Sequence, residues 1–107
     1  MQNFNLNLEK EFLGKRILIT GASRGLGAAA CQAFAQRGAE IAMLSRSKKE
    51  MEKLKQSFKN SSKHISIKVD FLNNKSLNKA FKKAIKFLKR IDIVIHIAGG
   101  GFGLKDI

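Results

Sequence analysis

Tyrosine, tryptophan and proline are absent from this 107-residue chain, cysteine occurs once, and 8 acidic residues stand against 21 lysines and arginines. Each gap closes a class of function. With one cysteine, Cys31, there is no internal disulfide framework, and with His64 and His96 as the only histidines no zinc constellation can be assembled. No tyrosine or tryptophan offers a stacking platform for bases, and no RNA- or DNA-binding signature accompanies the formal charge of +13. Nucleic acid is therefore not the expected partner. No apolar run approaches transmembrane length, and the N-terminus lacks a charged start followed by an apolar stretch. A soluble, cytoplasmic protein in a reducing compartment, without a membrane partner, is expected. No internal repeat or low-complexity linker divides the chain, so the length allows one domain, 1–107, with a modest core and a polar lead-in over 1–14.

What is present is concentrated near the start. The run Ile17-Leu18-Ile19-Thr20 breaks into Gly21-Ala22-Ser23-Arg24-Gly25-Leu26-Gly27 and then into an alanine-rich helix. A buried strand that delivers its end to a helix N-terminus builds a pocket for phosphate, because unpaired backbone N–H groups and the helix dipole both point there. Each glycine takes its own part. Gly21 turns the chain where a Cβ would obstruct, Gly25 allows close approach of a pyrophosphate, and Gly27 lets the helix sit tightly on the sheet. No Lys-Ser or Lys-Thr follows Gly27, so the pattern is not that of a P-loop NTPase.

The string Thr20 to Gly27 resembles the T-G-x-x-x-G-x-G signature of the short-chain dehydrogenase/reductase family, and the resemblance extends over roughly residues 12 to 103. It implies a doubly wound Rossmann sheet, a nicotinamide dinucleotide, a small carbonyl or alcohol substrate, and homo-oligomeric assembly of the full-length protein. The periodicity agrees. Glu40 to Leu44 and His64 to Val69 read as strands, Ser47 to Phe58 as a helix opened by a Ser47/Glu50 capping box, Ser76 to Lys89 as a second amphipathic helix, and Ile91 to Ile97 as a fourth strand. Strands alternating with helices mean parallel βαβ units, with the first strand between the second and the fourth. The fold class is thus α/β, an incomplete Rossmann sheet of about four strands and three helices.

Charge predicts the cofactor. Rossmann proteins that prefer NAD usually carry an acid about 20 residues past the glycines, where this chain has Ser45 followed by Arg46. Ser45 is read as a hydrogen-bond donor and Arg46 as a bidentate fork for a 2′-phosphate, with Arg24 closing from the other side. NADP(H) is predicted over NAD(H). By resemblance, Asp70 with Phe71 lies beside the adenine; the competing reading makes Asp70 a carboxylate favourable to the next helix dipole. Ala98 and Gly99 match the end of the family's N-N-A-G motif and offer backbone contacts to the cofactor ribose. His96 and Ile97 stand where that motif has asparagines, and His96 reads as a hydrogen-bonded core histidine. Cofactor-binding positions are therefore Gly21, Ser23, Arg24, Gly25, Leu26, Gly27, Ser45, Arg46, Asp70, Phe71, Ala98 and Gly99.

The family's catalytic Ser, Tyr and Lys lie beyond the fourth strand, and this chain has no tyrosine, so no residue is read as catalytic and turnover by these 107 residues alone is not expected. The reading is the cofactor-binding fragment of an NADP(H)-dependent short-chain oxidoreductase. The alternative is a non-catalytic nucleotide-binding or basic nucleic-acid/protein interaction module. Against the latter, the lysines of the second and third helices alternate with apolar positions, as on an ordinary solvated face.

Overall fold

In the computed structural model, which describes residues 11–97, four strands and three helices alternate. They are β1 (Arg16–Thr20), α1 (Gly25–Gln36), β2 (Glu40–Ser45), α2 (Lys48–Gln56), β3 (Ile65–Lys68), α3 (Asn74–Leu88) and β4 (Ile93–His96). All strands pair in parallel in the order β3-β2-β1-β4, with Ile17 opposite both Ile41 and Ile93. This is the expected Rossmann order, and it reverses direction at β1.

Side chains of β1 alternate between two cores because a strand projects them to opposite faces. Ile17 and Ile19 pack with Cys31, Ile41, Met43 and Met51 beneath α1 and α2, whereas Leu18 packs with Ala42, Leu44, Ile67 and Val69 beneath α3. Near-continuous apolar runs are what a sheet covered on both sides requires. On β4 the cover is partial: Ile93 and Ile95 join the first core, while Val94 is exposed.

Boundaries depart from expectation where side chains compete for backbone groups. Ser47 Oγ accepts from the Glu50 amide at 3.2 Å, but the reciprocal half of the capping box does not form, since the Ser47 amide donates to Ser45 Oγ at 3.3 Å. Helix α3 starts at Asn74 rather than Ser76 because Asn73 accepts from the Ser76 amide at 3.0 Å and becomes its N-cap. The lead-in also does more than lead: its described part, 11–14, fastens the α1–β2 turn. The Phe12 amide donates to the Arg37 carbonyl at 2.8 Å, and its ring meets Phe34 edge-on with centroids 4.9 Å apart.

Helix α3 ends at Leu88, and its C-cap, Lys89, holds φ at 76°. A side chain in that region costs about 1 kcal/mol that glycine avoids. Lys89→Gly is expected to raise stability by about 0.5–1 kcal/mol, read as a higher urea midpoint with an unchanged slope.

Candidate cofactor site

The end of β1 is held from both sides. Gly21 and Ala22 amides donate to the Leu44 carbonyl of β2 at 2.9 and 3.3 Å, and the Ile97 amide donates to Thr20 Oγ1 at 3.2 Å on the β4 side. Gly21 takes φ of 69°, and a Cβ there would overlap the Ile97 carbonyl oxygen. Gly27 is packed more tightly still: its Cβ would overlap the Gly21 carbonyl oxygen and lie 2.7 Å from the Gly21 carbonyl carbon. The close contact predicted between helix and sheet is thus a contact between the helix and the turn's own backbone. Gly25 differs: its φ of 59° is positive like that of Gly21, but its missing side chain faces open space.

Beside that open space lies the N-terminal turn of α1. Arg24 is the N-cap of α1 in an extended conformation, no side chain caps the helix, and its first turn holds no acidic residue. The N–H groups of that turn and the positive end of the dipole therefore stay available to an anion. Leu26, in the same turn, is 73% exposed.

The second strand contributes through a relay of hydroxyls. Buried Ser45 receives the Ser47 amide and donates its own proton to Ser23 Oγ at 2.8 Å. This alters the expected part of Ser45: its proton is committed to Ser23, and the Ser23 hydroxyl hydrogen is the one left to donate outward. Arg24 and Arg46 each directly follow one of these two touching serines, so both exposed guanidinium groups are rooted at one spot. Neither forms an ion pair among the described residues.

Beside Ser45, the Val69 amide donates to the Ser45 carbonyl at 2.9 Å, which brings the end of β3 to the same edge. There Asp70 Oδ1 accepts from the Leu72 amide at 3.0 Å and the Asp70 amide donates to Ser76 Oγ at 2.9 Å. Its carboxylate thus organises the approach to α3. Phe71 is half-buried against the α3-side core. Ala98 and Gly99 lie outside the described residues.

Two features were not read in the sequence. Thr20 Oγ1 and His96 Nδ1 share a 2.6 Å hydrogen bond across β1 and β4. His96 is exposed, not a core residue, because β4 has no described neighbour on its outer side. Only the register Thr20 opposite His96 makes the pair visible. The lysines, moreover, do not stay dispersed: Lys68, Lys79, Lys82, Lys83 and Lys86 line one open groove of about 410 Å³ on the α3 face. It carries charge but none of the glycine turn's backbone donors. Among the described residues no group of His, Cys, Asp and Glu could hold a metal ion, and no helix is long and apolar enough to cross a membrane.

Comparison with known proteins converges on one family. Residues 15–106 match the family described as short chain dehydrogenase. Versicolorin reductase of Emericella nidulans is 38% identical over 98 residues, covering 88% of this chain and 37% of that protein. A short chain dehydrogenase of Pseudocercospora fijiensis is 32% identical over 87 residues, covering 80% of this chain and 28% of its own length. Among solved structures, the C-domain of a bacterial malonyl-CoA reductase with NADP superposes with a TM-score of 0.79 at 28% identity, covering 88% of this chain and 16% of that one. A 3-ketoacyl-(acyl-carrier-protein) reductase from Brucella melitensis complexed with NADH gives 0.72 at 25% identity, covering 78% and 34%. This chain therefore spans little more than a third, or less, of each of these relatives.

Proposed function

This chain belongs to the short-chain dehydrogenase/reductase family of oxidoreductases, and from that membership we propose that it forms the NADP(H)-binding part of an enzyme acting on a small carbonyl or alcohol substrate. Bound there, the cofactor supplies a hydride acceptor or donor. The chain's own residues bind and select it. First-turn amides of α1 and the open side of Gly25 fit a diphosphate, since a Cβ at Gly25 would meet nothing within 4 Å and that turn holds no acidic residue. The Ser23 hydroxyl, Arg24 and Arg46 take the 2′-phosphate, and Asp70 with Phe71 flanks the adenine. Turnover is not assigned to these 107 residues, which contain no tyrosine to exchange a proton. A cytoplasmic setting is proposed with this function; Cys31 is free and buried, and burial pushes its thiol up to about 12, which leaves it unreactive.

The single observation that supports the cofactor preference is the 2.8 Å Ser45–Ser23 bond, which joins the residues preceding Arg24 and Arg46 at the strand end where an NAD-preferring site would place an acid. Titration with NADPH and NADH tests it. A charge-assisted hydrogen bond contributes about 1.5–3 kcal/mol, so Arg46→Ala is expected to weaken NADPH by about one to two decades while NADH changes little. Tighter binding of NADH than NADPH by the wild-type chain would overturn the preference.

A further inference from the structure

We infer that His96 is a positioning residue for the cofactor: through Thr20 it holds the glycine turn in its binding geometry. This rests on the reading of a nicotinamide dinucleotide at that turn. Among the described residues the Thr20 hydroxyl ties the end of β1 to His96 Nδ1 at 2.6 Å and to the Ile97 amide at 3.2 Å, an amide that also donates to the Thr20 carbonyl at 3.3 Å. The consequence reaches the next residue, because the Ile97 carbonyl lies against Gly21, close enough to exclude a Cβ. The position of Ile97 therefore sets how far the turn can lean toward β4.

We assign the bond to the tautomer in which Thr20 Oγ1, while accepting from the Ile97 amide, donates its own proton to a bare Nδ1 and the ring proton resides on Nε2. A leucine at 96 would leave Thr20 Oγ1 held by the Ile97 amide alone. An asparagine at 96 restores an acceptor. The remaining β4 side chains, Ile93, Val94 and Ile95, are apolar and cannot replace it.

The test uses the 107-residue chain. His96→Leu is expected to weaken NADPH about tenfold, the magnitude of one lost hydrogen bond, Thr20→Val at least as much because it removes two, and the double variant to be no weaker than the worse single one. His96→Asn should recover affinity to within about threefold. Two readouts do not need the cofactor: nitrogen NMR of the His96 ring, expected to show a protonated Nε2 and a bare Nδ1, and amide exchange at Ile97 and Gly21, expected to accelerate in His96→Leu. If wild type binds neither nicotinamide cofactor, the functional reading fails and the positioning role fails with it, while the NMR and exchange data still report whether the clamp exists. If wild type binds and His96→Leu binds equally well, or the two substitutions add, the inference is overturned alone.

Discussion

Alanine at position 27 is expected to abolish measurable NADPH binding and to lower stability by about 3 kcal/mol or more. The new Cβ would overlap the Gly21 carbonyl oxygen and come within 2.7 Å of its carbon and 3.1 Å of Ala22 Cα. All three atoms are backbone. No rotamer change relieves the contact, so α1 must move away from the turn, and its N–H groups leave the site with it. Overpacking that flexible neighbours can absorb costs about 1–3 kcal/mol, and here nothing flexible lies in the way. Urea unfolding and cofactor titration of Gly27→Ala check both effects, and wild-type behaviour in either would show that the helix does not rest on the turn.

The same substitution at Gly25 separates ligand space from packing. Its Cβ meets no atom within 4 Å, so the fold bears only the strain of φ at 59°, about 1–2 kcal/mol. A diphosphate seated over the turn would nonetheless meet that methyl. Gly27 thus supports the fold, and Gly25 leaves open the space in which the proposed site seats the diphosphate, the two separate parts expected of them from the sequence.

How much was legible follows from how local each feature is. The strands, the helices and the glycine turn depend on short-range pattern, and the β3-β2-β1-β4 order follows once βαβ units are recognised. The Asn73 cap was missed because Leu77 at helical spacing marks only where the apolar stripe begins, while the cap is set by one side-chain oxygen upstream. The Ser45–Ser23 and Thr20–His96 bonds join residues 22 and 76 positions apart. No periodicity encodes such pairs. The groove lined by Lys68 and the α3 lysines was likewise hidden, since only packing of α3 beside β3 turns alternating charges into one cationic wall.

His64 shows the same limit and gives the other large effect. In the sequence it merely opens the third strand; in the fold it is buried, its Nδ1 accepts from the Ile41 amide at 3.1 Å, and its ring meets Phe58 edge-on. Pairing of β2 with β3 starts at Ala42 and Ile65, so the imidazole serves as acceptor for an amide just outside the ladder. Burial, then the nearby charges of Lys55 and Lys63, push its pKa from 6.5 down to about 4. Above pH 6.5 the ring is neutral folded or unfolded, and its contribution is fully present. As pH falls from 6.5 toward 4 the unfolded chain takes up a proton that the folded chain refuses, so stability drops, by about 2.5 kcal/mol at pH 4.5 and about 3 kcal/mol once both forms are protonated. Asp92, held below the ordinary carboxylate value chiefly by the Arg16 amide, titrates below this window. Against a typical total of about 5–15 kcal/mol the His64 loss is large. His64→Gln should be less stable at pH 7.5 yet nearly flat between pH 7 and 5, whereas wild type should slope; equal slopes in urea unfolding would assign the acid sensitivity to another group.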